Sequence, residues 1–424
     1  MHPSLGVVVC RALPPNGRHW HSANGNSGRQ LVSVGGEARG GSGLSGHASG
    51  QCRSDDGSEL MIKQWFARTV SITLAVVLLA GCEPPTAEST QNGFRGTGML
   101  QLEQPKVREA KVAANQVPAA SPALPATPPY AKDVYQNVQV LGDLGVGQFT
   151  RLMAAMTEWV APEEGCNYCH VTGNLASDDI YTKVVSRRML QMTQHINASW
   201  TDHVGETGVT CYTCHRGNNV PAEIWFEDPG PKSAAKAGWR DNQNTPAEVA
   251  AMASLPYDSL SRYLLGDEEI RVIGNTALPS TNTSSIKATE GTYSLMMHMS
   301  DALGVNCTFC HNTRAMADWT QSTPQRVTAW YGIEMARTLN QGYLDPLQPV
   351  YPEHRLGSLG DAPKANCATC HQGVNKPLYG AAMVKDFPSL TREAGATAMG
   401  QAATEAAEAV ASSEDVDRSE AEGI

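Results

Sequence analysis

Four copies of one five-residue motif, Cys-x-x-Cys-His, lie between residues 166 and 371. Two thiols followed by an adjacent imidazole form the attachment sequence of c-type haem. The thiols bond to the porphyrin vinyl groups, and the histidine binds the iron from one side. The sequence therefore predicts four covalently bound haem c groups, at Cys166, Cys169 and His170, at Cys211, Cys214 and His215, at Cys307, Cys310 and His311, and at Cys367, Cys370 and His371.

Other uses of paired cysteines fit this pattern poorly. A structural zinc site does not need a histidine directly after every second cysteine. A thioredoxin-like redox pair would occur once, beside a βαβ unit. Four disulfides at this spacing would close only very small loops, which constrain the unfolded chain little.

The second axial ligand determines what each haem can do. An open position allows ligand chemistry, whereas a methionine or histidine closes it and leaves electron transfer; a thioether ligand also raises the reduction potential. Methionines precede the first three motifs at a spacing that puts neighbours on one helix face. The residues alone leave Met153 or Met156 for the first haem, Met189 or Met192 for the second, and Met296, Met297 or Met299 for the third. For the fourth haem they leave Met335 and the non-motif histidines His195, His203, His298 and His354.

The elements that carry these residues repeat. Leu152–Trp159 before the first motif resembles Leu295–Ala302 before the third, and Cys211–Pro221 resembles Cys367–Pro377. An internal duplication explains both matches. We therefore expect a mainly α multihaem cytochrome of two pseudo-symmetric halves, about 130–230 and 286–390, joined by a connector over 231–285, with few strands. The helices are predicted at Gln148–Val160, Asp178–Ile196, Thr289–Leu303 and Gln325–Leu339.

The N-terminal region resembles a bacterial lipoprotein signal. Residues 61–81 contain Lys63, Arg68 and an apolar run too short to span a bilayer, and they end in Leu-Leu-Ala-Gly before Cys82. We expect an exported protein, lipid-anchored through Cys82. Residues 1–60 would then be a misplaced start or a disordered extension, 82–129 a Pro/Ala-rich membrane tether, and 391–424 a disordered Ala/Glu-rich tail.

The charge of the expected mature chain is strongly negative. Residues 82–424 hold 25 Lys and Arg against 38 Asp and Glu, a net charge of −13 before the haem propionates are counted. This balance excludes nucleic acid as an expected partner. It favours a small basic redox protein, guided towards the chain by the electrostatic field.

The chain resembles the tetrahaem cytochrome subunits of purple-bacterial photosynthetic reaction centres over about 130–390. The resemblance is carried by Phe149–Val160, Glu164–His170, Arg187–Thr193, Trp200–His203, Gly208–Gly217, Leu295–Met297, Asn306–Asn312, Trp330–Ile333 and Cys370–Pro377. It implies that three haems have His/Met ligation and the fourth His/His. The family's methionines correspond to Met153, Met189 and Met296, and the histidine of the fourth haem to His203, with Met335 as its rival.

The resemblance also implies a function. The protein would be an electron carrier on the periplasmic side of the photosynthetic inner membrane, docked on the reaction-centre L and M subunits. It would reduce the photo-oxidised bacteriochlorophyll special pair and be refilled by a soluble cytochrome c or high-potential iron–sulfur protein. The third-motif haem would lie nearest the special pair, and the first farthest. A multihaem enzyme would need an open haem, and a quinol-oxidising cytochrome would need a stable transmembrane helix.

Overall fold

A computed structural model of the chain describes residues 64–70, 86–96, 98–228, 230, 246, 248–256, 258–272 and 286–392. The chain divides into two compact units, Met1–Cys82 and Glu83–Ile424. In the first unit, residues 64–70 are helical. The proposed anchor at Cys82, its apolar run and the tail after 392 lie outside the described residues. No helix among those described is both long and apolar enough to cross a membrane.

The second unit is mainly helical, as expected. Among its described residues, five helices have ten or more residues: α1 (Pro105–Ala114), α2 (Val146–Val160), α3 (Tyr181–Ser199), α4 (Ile286–Leu303) and α5 (Pro324–Leu339). The predicted bounds of the last four were correct to within three residues, because each has apolar side chains at helical spacing. The described strands form one antiparallel hairpin of β1 (Glu88–Asn92) and β2 (Met99–Glu103).

Shorter helical turns connect these elements. In the described residues they are Phe94–Gly96, Ala131–Val134, Gly165–Tyr168, Thr201–Val204, Gly205–Thr207, Cys211–His215, Glu248–Ala250, Ser261–Leu265, Cys307–Phe309, Asn340–Leu344, Asp345–Val350, Glu353–Arg355, Cys367–His371, Pro377–Gly380, Met383–Asp386 and Pro388–Leu390. Because short turns and not long strands surround the four motifs in the described residues, side-chain and loop hydrogen bonds hold the motifs in place.

Two apolar clusters hold the helices together. The first joins α2 and α3 to the C-terminal segment, where Trp159 and Phe387 meet edge to face with ring centres 4.7 Å apart. The second joins α4 and α5 to residues 260–270, which contribute Leu260, Tyr263, Leu264 and Ile270. Residues 260–270, which lie within the expected connector, are therefore part of a core, because they carry apolar side chains that pack with those of α4 and α5.

The described part of the expected tether is also more ordered than predicted. It contains the hairpin and α1, and only 116–129 lacks regular structure. Met99 is buried, and its sulfur accepts a hydrogen bond from the Asn306 amide at 2.9 Å. Gln101 donates to the carbonyl of Gly304. The prediction of an extended tether is corrected here, since the Pro/Ala composition begins only after the hairpin and α1 have packed on the helical unit.

Candidate functional site

The four motifs adopt two local conformations that alternate along the chain. The first and third motifs begin in 3-10 turns, and the second and fourth form short α-helices. Thr210 and Asn366 cap these two α-helices and exchange hydrogen bonds with the threonine three residues on. Both helices end in a left-handed residue, Arg216 and Gln372. The motif histidine is thus the last helical residue and lies beside a sharp change of chain direction.

Each motif histidine is held by one backbone hydrogen bond from Nδ1. The acceptor is five residues on in the first and third motifs, the carbonyls of Leu175 and Met316, both at 3.0 Å. It is three residues on in the second and fourth, the carbonyls of Asn218 at 2.9 Å and Val374 at 3.0 Å. Because a carbonyl only accepts, Nδ1 carries the proton and Nε2 keeps its lone pair. This is the tautomer and the outer hydrogen bond that a metal-binding imidazole requires.

Burial favours the neutral form of three of these imidazoles. It lowers the pKa of His215 and His311, and burial together with the facing His203 lowers the pKa of His371 to about 4. A neutral imidazole is the form that binds a metal. At neutral pH these rings therefore offer Nε2 to an iron without first losing a proton.

All eight motif cysteines are free thiols. Burial raises the pKa of Cys211 and Cys367 to about 12 and that of Cys310 to about 11. The Cys214 and Cys370 sulfurs are 2.7 Å apart, well beyond the ~2.05 Å of a disulfide bond. The thiols of the described chain are therefore available for thioether bonds, and the disulfide alternative finds no support among them.

A cavity of about 1050 Å³ joins the first and second motifs. Its walls include Cys166, Cys169 and His170 from one motif and Cys211, Cys214 and His215 from the other. Between them the lining is largely apolar and includes residues of both α2 and α3. Paired thiols, a free imidazole nitrogen and an apolar enclosure are the donor set and surroundings that covalently attached haem requires. The residues present fit the group.

The surroundings of the candidate methionines distinguish between them only in part. Met153, Met156, Met189 and Met192 all line the cavity. Met296 and Met299 pack against the second apolar cluster, next to Trp330. Met297 instead lines a separate cleft of about 820 Å³ beside β2, together with Met99 and Val305. Of the three methionines before the third motif, Met297 is therefore the one directed away from the cluster that the other two share.

His203 lies opposite the histidine of the fourth motif. Its ring centre is 6.0 Å from that of His371, and its Nδ1 donates to the carbonyl of Thr328 at 2.8 Å. A bond between a metal and an imidazole nitrogen is about 2 Å long, so two imidazoles on one metal hold their ring centres roughly 6 Å apart. The observed spacing and the free Nε2 of each ring match that arrangement. The two ring planes make an angle of 70°.

The other non-motif histidines have different surroundings. The Nε2 atom of His195 accepts a hydrogen bond from the Trp200 indole at 3.2 Å. His354 lines the cavity. His298 is buried, its Nε2 has no hydrogen-bond partner, and burial lowers its pKa to about 4. Of these residues His203 is the one that faces a motif histidine.

Paired hydrogen bonds relate the first motif to the third. The Thr182 hydroxyl donates to the Tyr168 carbonyl, and the Thr323 hydroxyl donates to the Phe309 carbonyl. In each pair the threonine stands sixteen residues after the first motif cysteine. These hydrogen bonds set the register of α3 and α5 against their motifs. Sequence reasoning missed both threonines, although their identical spacing from the motifs was the available signal.

Reciprocal hydrogen bonds join the second motif to the fourth. Arg216 donates to the Cys370 carbonyl at 3.0 Å, and Gln372 donates more weakly to the Cys214 carbonyl at 3.5 Å. Each donor directly follows its own motif histidine. The amides of Gly217 and Gly373 also make equivalent bonds, both of 2.8 Å, to the carbonyls of Trp159 and Ala302. These residues were not predicted, because their partners are distant in sequence.

Comparisons with known proteins agree on one family. Residues 83–391 match the family described as photosynthetic reaction centre cytochrome C subunit. The chain is 55% identical over 324 residues to the photosynthetic reaction center cytochrome c subunit of Rubrivivax gelatinosus, covering 76% of this chain and 88% of the relative. It is 55% identical over 325 residues to that of Thermochromatium tepidum, covering 76% and 80%. It is 46% identical over 344 residues to that of Roseobacter denitrificans, covering 76% and 90%.

Proposed function

Because the chain belongs to the family of photosynthetic reaction centre cytochrome c subunits, we propose that it carries electrons from a soluble periplasmic donor to the photo-oxidised special pair on four covalently bound haem c groups. Family membership makes it an electron-transfer subunit with covalently bound haem c, associated with the reaction-centre subunits on the periplasmic side of the membrane. Bound haem supplies reversible one-electron exchange at its iron. The chain's own residues attach, ligate and separate the four sites.

The observation that carries this proposal is the shared state of the four motif histidines. Each donates Nδ1–H to a backbone carbonyl and leaves Nε2 free, beside two free thiols. Four complete donor sets in one unit support a chain of electron carriers more directly than a single catalytic centre. In this proposal His170, His215, His311 and His371 would each bind the iron of one haem through Nε2.

The second ligands we propose are Met153, Met189, Met296 and His203. Met296 is favoured over Met297 because the latter lines the separate cleft. For the fourth haem, Thr182 and Thr323 align α3 with α5. In this register Met189 corresponds to Trp330, and Met335 corresponds to Gln194. The helix of the fourth site thus has no methionine at the ligand position, and His203 supplies the bond from a distant segment.

The two pairs of motifs form pseudo-symmetric halves in this proposal. Their support is the repeated hydrogen bonds of Thr182 and Thr323 and the reciprocal bonds of Arg216 and Gln372. In a two-fold contact, the same surface meets itself in both directions. The second and fourth sites are then in direct contact, through the hydrogen bonds from Arg216 to Cys370 and from Gln372 to Cys214.

The partners and the anchor complete the proposal. The L and M subunits carry the special pair, and a soluble cytochrome c or a high-potential iron–sulfur protein is the donor. Acylated Cys82 holds the chain on the membrane, with 61–81 as its signal peptide and 1–60 as a misplaced start or disordered extension. The residues from 391 to 424 form a disordered tail.

Two measurements test the function. Intact mass of the purified chain should show four attached haems, and flash excitation of membranes that contain the reaction centre should oxidise a c-type haem. Redox titration resolved by haem then assigns the ligands. Three or fewer haems, or the absence of flash-induced haem oxidation, would contradict the proposal.

The fourth-site ligand has its own matched pair of variants. His203→Ala should open the fourth haem to CO, and Met335→Leu should leave it closed, because Leu replaces Met with little change in volume. The opposite result would make Met335 the ligand and His203 a packing residue.

A further inference from the structure

Gly332 lies in the interior of α5, directly against the His203 ring. A Cβ atom at this position would come 2.5 Å from Cε1, 2.8 Å from Nδ1 and 3.2 Å from Nε2 of that imidazole. All three distances are shorter than the ~3.5 Å at which such atoms attract. The imidazole therefore rests on bare helix backbone, in a space that only glycine leaves open.

The backbone conformation gives no other reason for glycine there. Gly332 is not among the residues of positive φ, so alanine could adopt its helical conformation. Glycine inside a helix costs about 1 kcal/mol relative to alanine, through the greater freedom of the unfolded chain. A glycine that costs stability in a regular helix indicates a close approach by another group. The group that approaches is the His203 ring.

The same stripe of α5 also holds the other side of the ring. Thr328 precedes Gly332 by one helical turn, so both lie on one face. The Thr328 carbonyl accepts the Nδ1–H of His203 at 2.8 Å. This hydrogen bond fixes the tautomer, and the open space at Gly332 fixes how closely the ring can lie to the helix. His203 itself belongs to the distant turn Thr201–Val204.

We propose that the Thr328 carbonyl and Gly332 form a cradle on α5 that aims Nε2 of His203 at the iron carried by His371. Gly332 is a positioning residue, which acts only through the placement of the ring. This inference rests on the proposed His203 ligation. It adds Gly332 as the residue that allows His203, from the first half of the chain, to reach the haem of the fourth motif, in the second half.

The alignment of α3 with α5 explains why the cradle occurs at one site. In the register given by Thr182 and Thr323, Gly332 corresponds to Gln191 and Trp330 to Met189. The position that carries the thioether of Met189 in α3 therefore carries the indole of Trp330 in α5, and this indole packs against the second apolar cluster. Two residues further along α5, the missing side chain at 332 leaves the space that the His203 ring occupies.

Gly332→Ala tests the cradle in the haem-loaded protein. The methyl group must push the ring away by about 1 Å to reach ordinary contact distance. We expect the fourth haem alone to bind CO and to change its reduction potential and its low-spin EPR signal. Gly342→Ala is the matched control, because a Cβ there meets nothing within 4 Å. It should leave all four haems unchanged.

His203→Ala separates the two hypotheses. If this variant leaves the fourth haem closed to CO, the proposed ligand is wrong. If it opens that haem while Gly332→Ala leaves the CO binding, potential and EPR signal unchanged, the ligand stands and the cradle is overturned.

A stability cycle keeps the cradle testable even if Gly332→Ala loads haem poorly. Alanine at 332 should lower the thermal midpoint when His203 is present. It should raise the midpoint in the His203→Ala background, where only its better helix propensity remains. The same sign in both backgrounds would overturn the proposal.

Discussion

Each motif histidine donates its Nδ1–H to a backbone carbonyl that lies within five residues of it in the sequence. These hydrogen bonds therefore orient the rings locally and do not restrain distant segments of the chain. His170 shares its acceptor, the Leu175 carbonyl, with the Lys183 ammonium group. Lys183 in turn lies 3.2 Å from the Asp178 carboxylate. The orientation of the His170 ring thus depends on a short network of local polar contacts that includes Lys183 and Asp178.

Met153→Leu should change the first haem and Met156→Leu should not. Both side chains line the cavity and are partly buried, so each substitution alters packing similarly, by less than about 1.5 kcal/mol. Only loss of the iron ligand should lower the reduction potential of the first haem. We expect a fall of roughly 0.1 V, within the range of ~0.8 V over which axial ligands set haem potentials. Redox titration resolved by haem is the measurement. A fall in potential confined to Met156→Leu would reverse the assignment.

Asp178→Asn should destabilise the protein near neutral pH. Arg187 donates two hydrogen bonds to this carboxylate, at 2.9 and 2.8 Å, and holds its pKa well below the ordinary range. A lowered pKa stabilises the fold above the unfolded value of about 3.9, and that stability is lost as the pH falls through the folded pKa. The effect should be about 1 kcal/mol or less, since the side chain is 38% exposed.

Urea unfolding across pH checks the Asp178 prediction. The difference between wild type and variant should be full at pH 7 and narrow steadily below about pH 4. Asp179→Asn removes the same charge from the neighbouring residue and should cost less. A gap that stays constant down to pH 2 would show that packing, and not the ionised carboxylate, stabilises this turn.

At the scale of elements, turns at the ends of the helices bring one motif against another. Gly304 ends the turn after α4 with a φ of +63°, three residues before Cys307. A Cβ there would collide with the Gly373 carbonyl oxygen, just after the fourth motif. The backbone of the third site therefore lies directly against that of the fourth, which a side chain at Gly304 would prevent.

Gly304→Ala should destabilise the haem-loaded protein far more than Gly165→Ala. Both glycines have positive φ, which alone costs alanine about 1 kcal/mol. A Cβ at Gly165 meets nothing within 4 Å, whereas the clash at Gly304 involves backbone that cannot rotate away. We expect a total loss of roughly 3 kcal/mol at Gly304. Thermal unfolding of both variants compares them, and equal losses would mean that the turn relaxes freely.

At the scale of the whole molecule, charge is distributed unevenly along the chain. Residues 393–424 hold eight acidic residues and one arginine, a net charge of −7 out of the −13 of 82–424. About half of the net negative charge of residues 82–424 therefore belongs to residues 393–424. Long-range attraction of a basic donor depends on the sum of such charges and is screened by salt.

Reduction of the protein by a basic cytochrome c should slow as ionic strength rises. We expect the bimolecular rate constant to fall about tenfold or more between 10 and 300 mM salt, as the screening length drops from ~30 Å to under 10 Å. A small neutral reductant serves as the control and should change little. Truncation after Arg392 should weaken the salt dependence. A rate independent of salt would show that electrostatic attraction does not guide the donor.

Cys82→Ser should remove the proposed lipid anchor without removing haem. Acylation requires the thiol, and the haem motifs begin more than eighty residues later. Labelled palmitate should enter the wild-type chain and not the variant, while intact mass shows the same number of haems in both. Peptides from residues 1–60 in the purified wild-type protein would contradict processing at Cys82.

The sequence by itself determined the chemistry of attachment and the helices that surround it. Two thiols and an imidazole within five residues define a haem site locally, so the four motifs needed no tertiary information. The predicted helices were correct within three residues, since periodicity is also a local property. The same reasoning listed the methionine pairs but left each choice open, because neighbours on one helix face are chemically alike.

Only the tertiary structure decided which distant residues meet. His203 and His371 are far apart in sequence, yet their rings lie 6.0 Å apart because α5 holds one of them through Thr328 and Gly332. Met297 differs from Met296 only in which cluster or cleft its helix face meets. The packing of the hairpin and α1 was likewise invisible in the composition of 82–129. Such contacts depend on how separate elements pack, which local spacing does not encode.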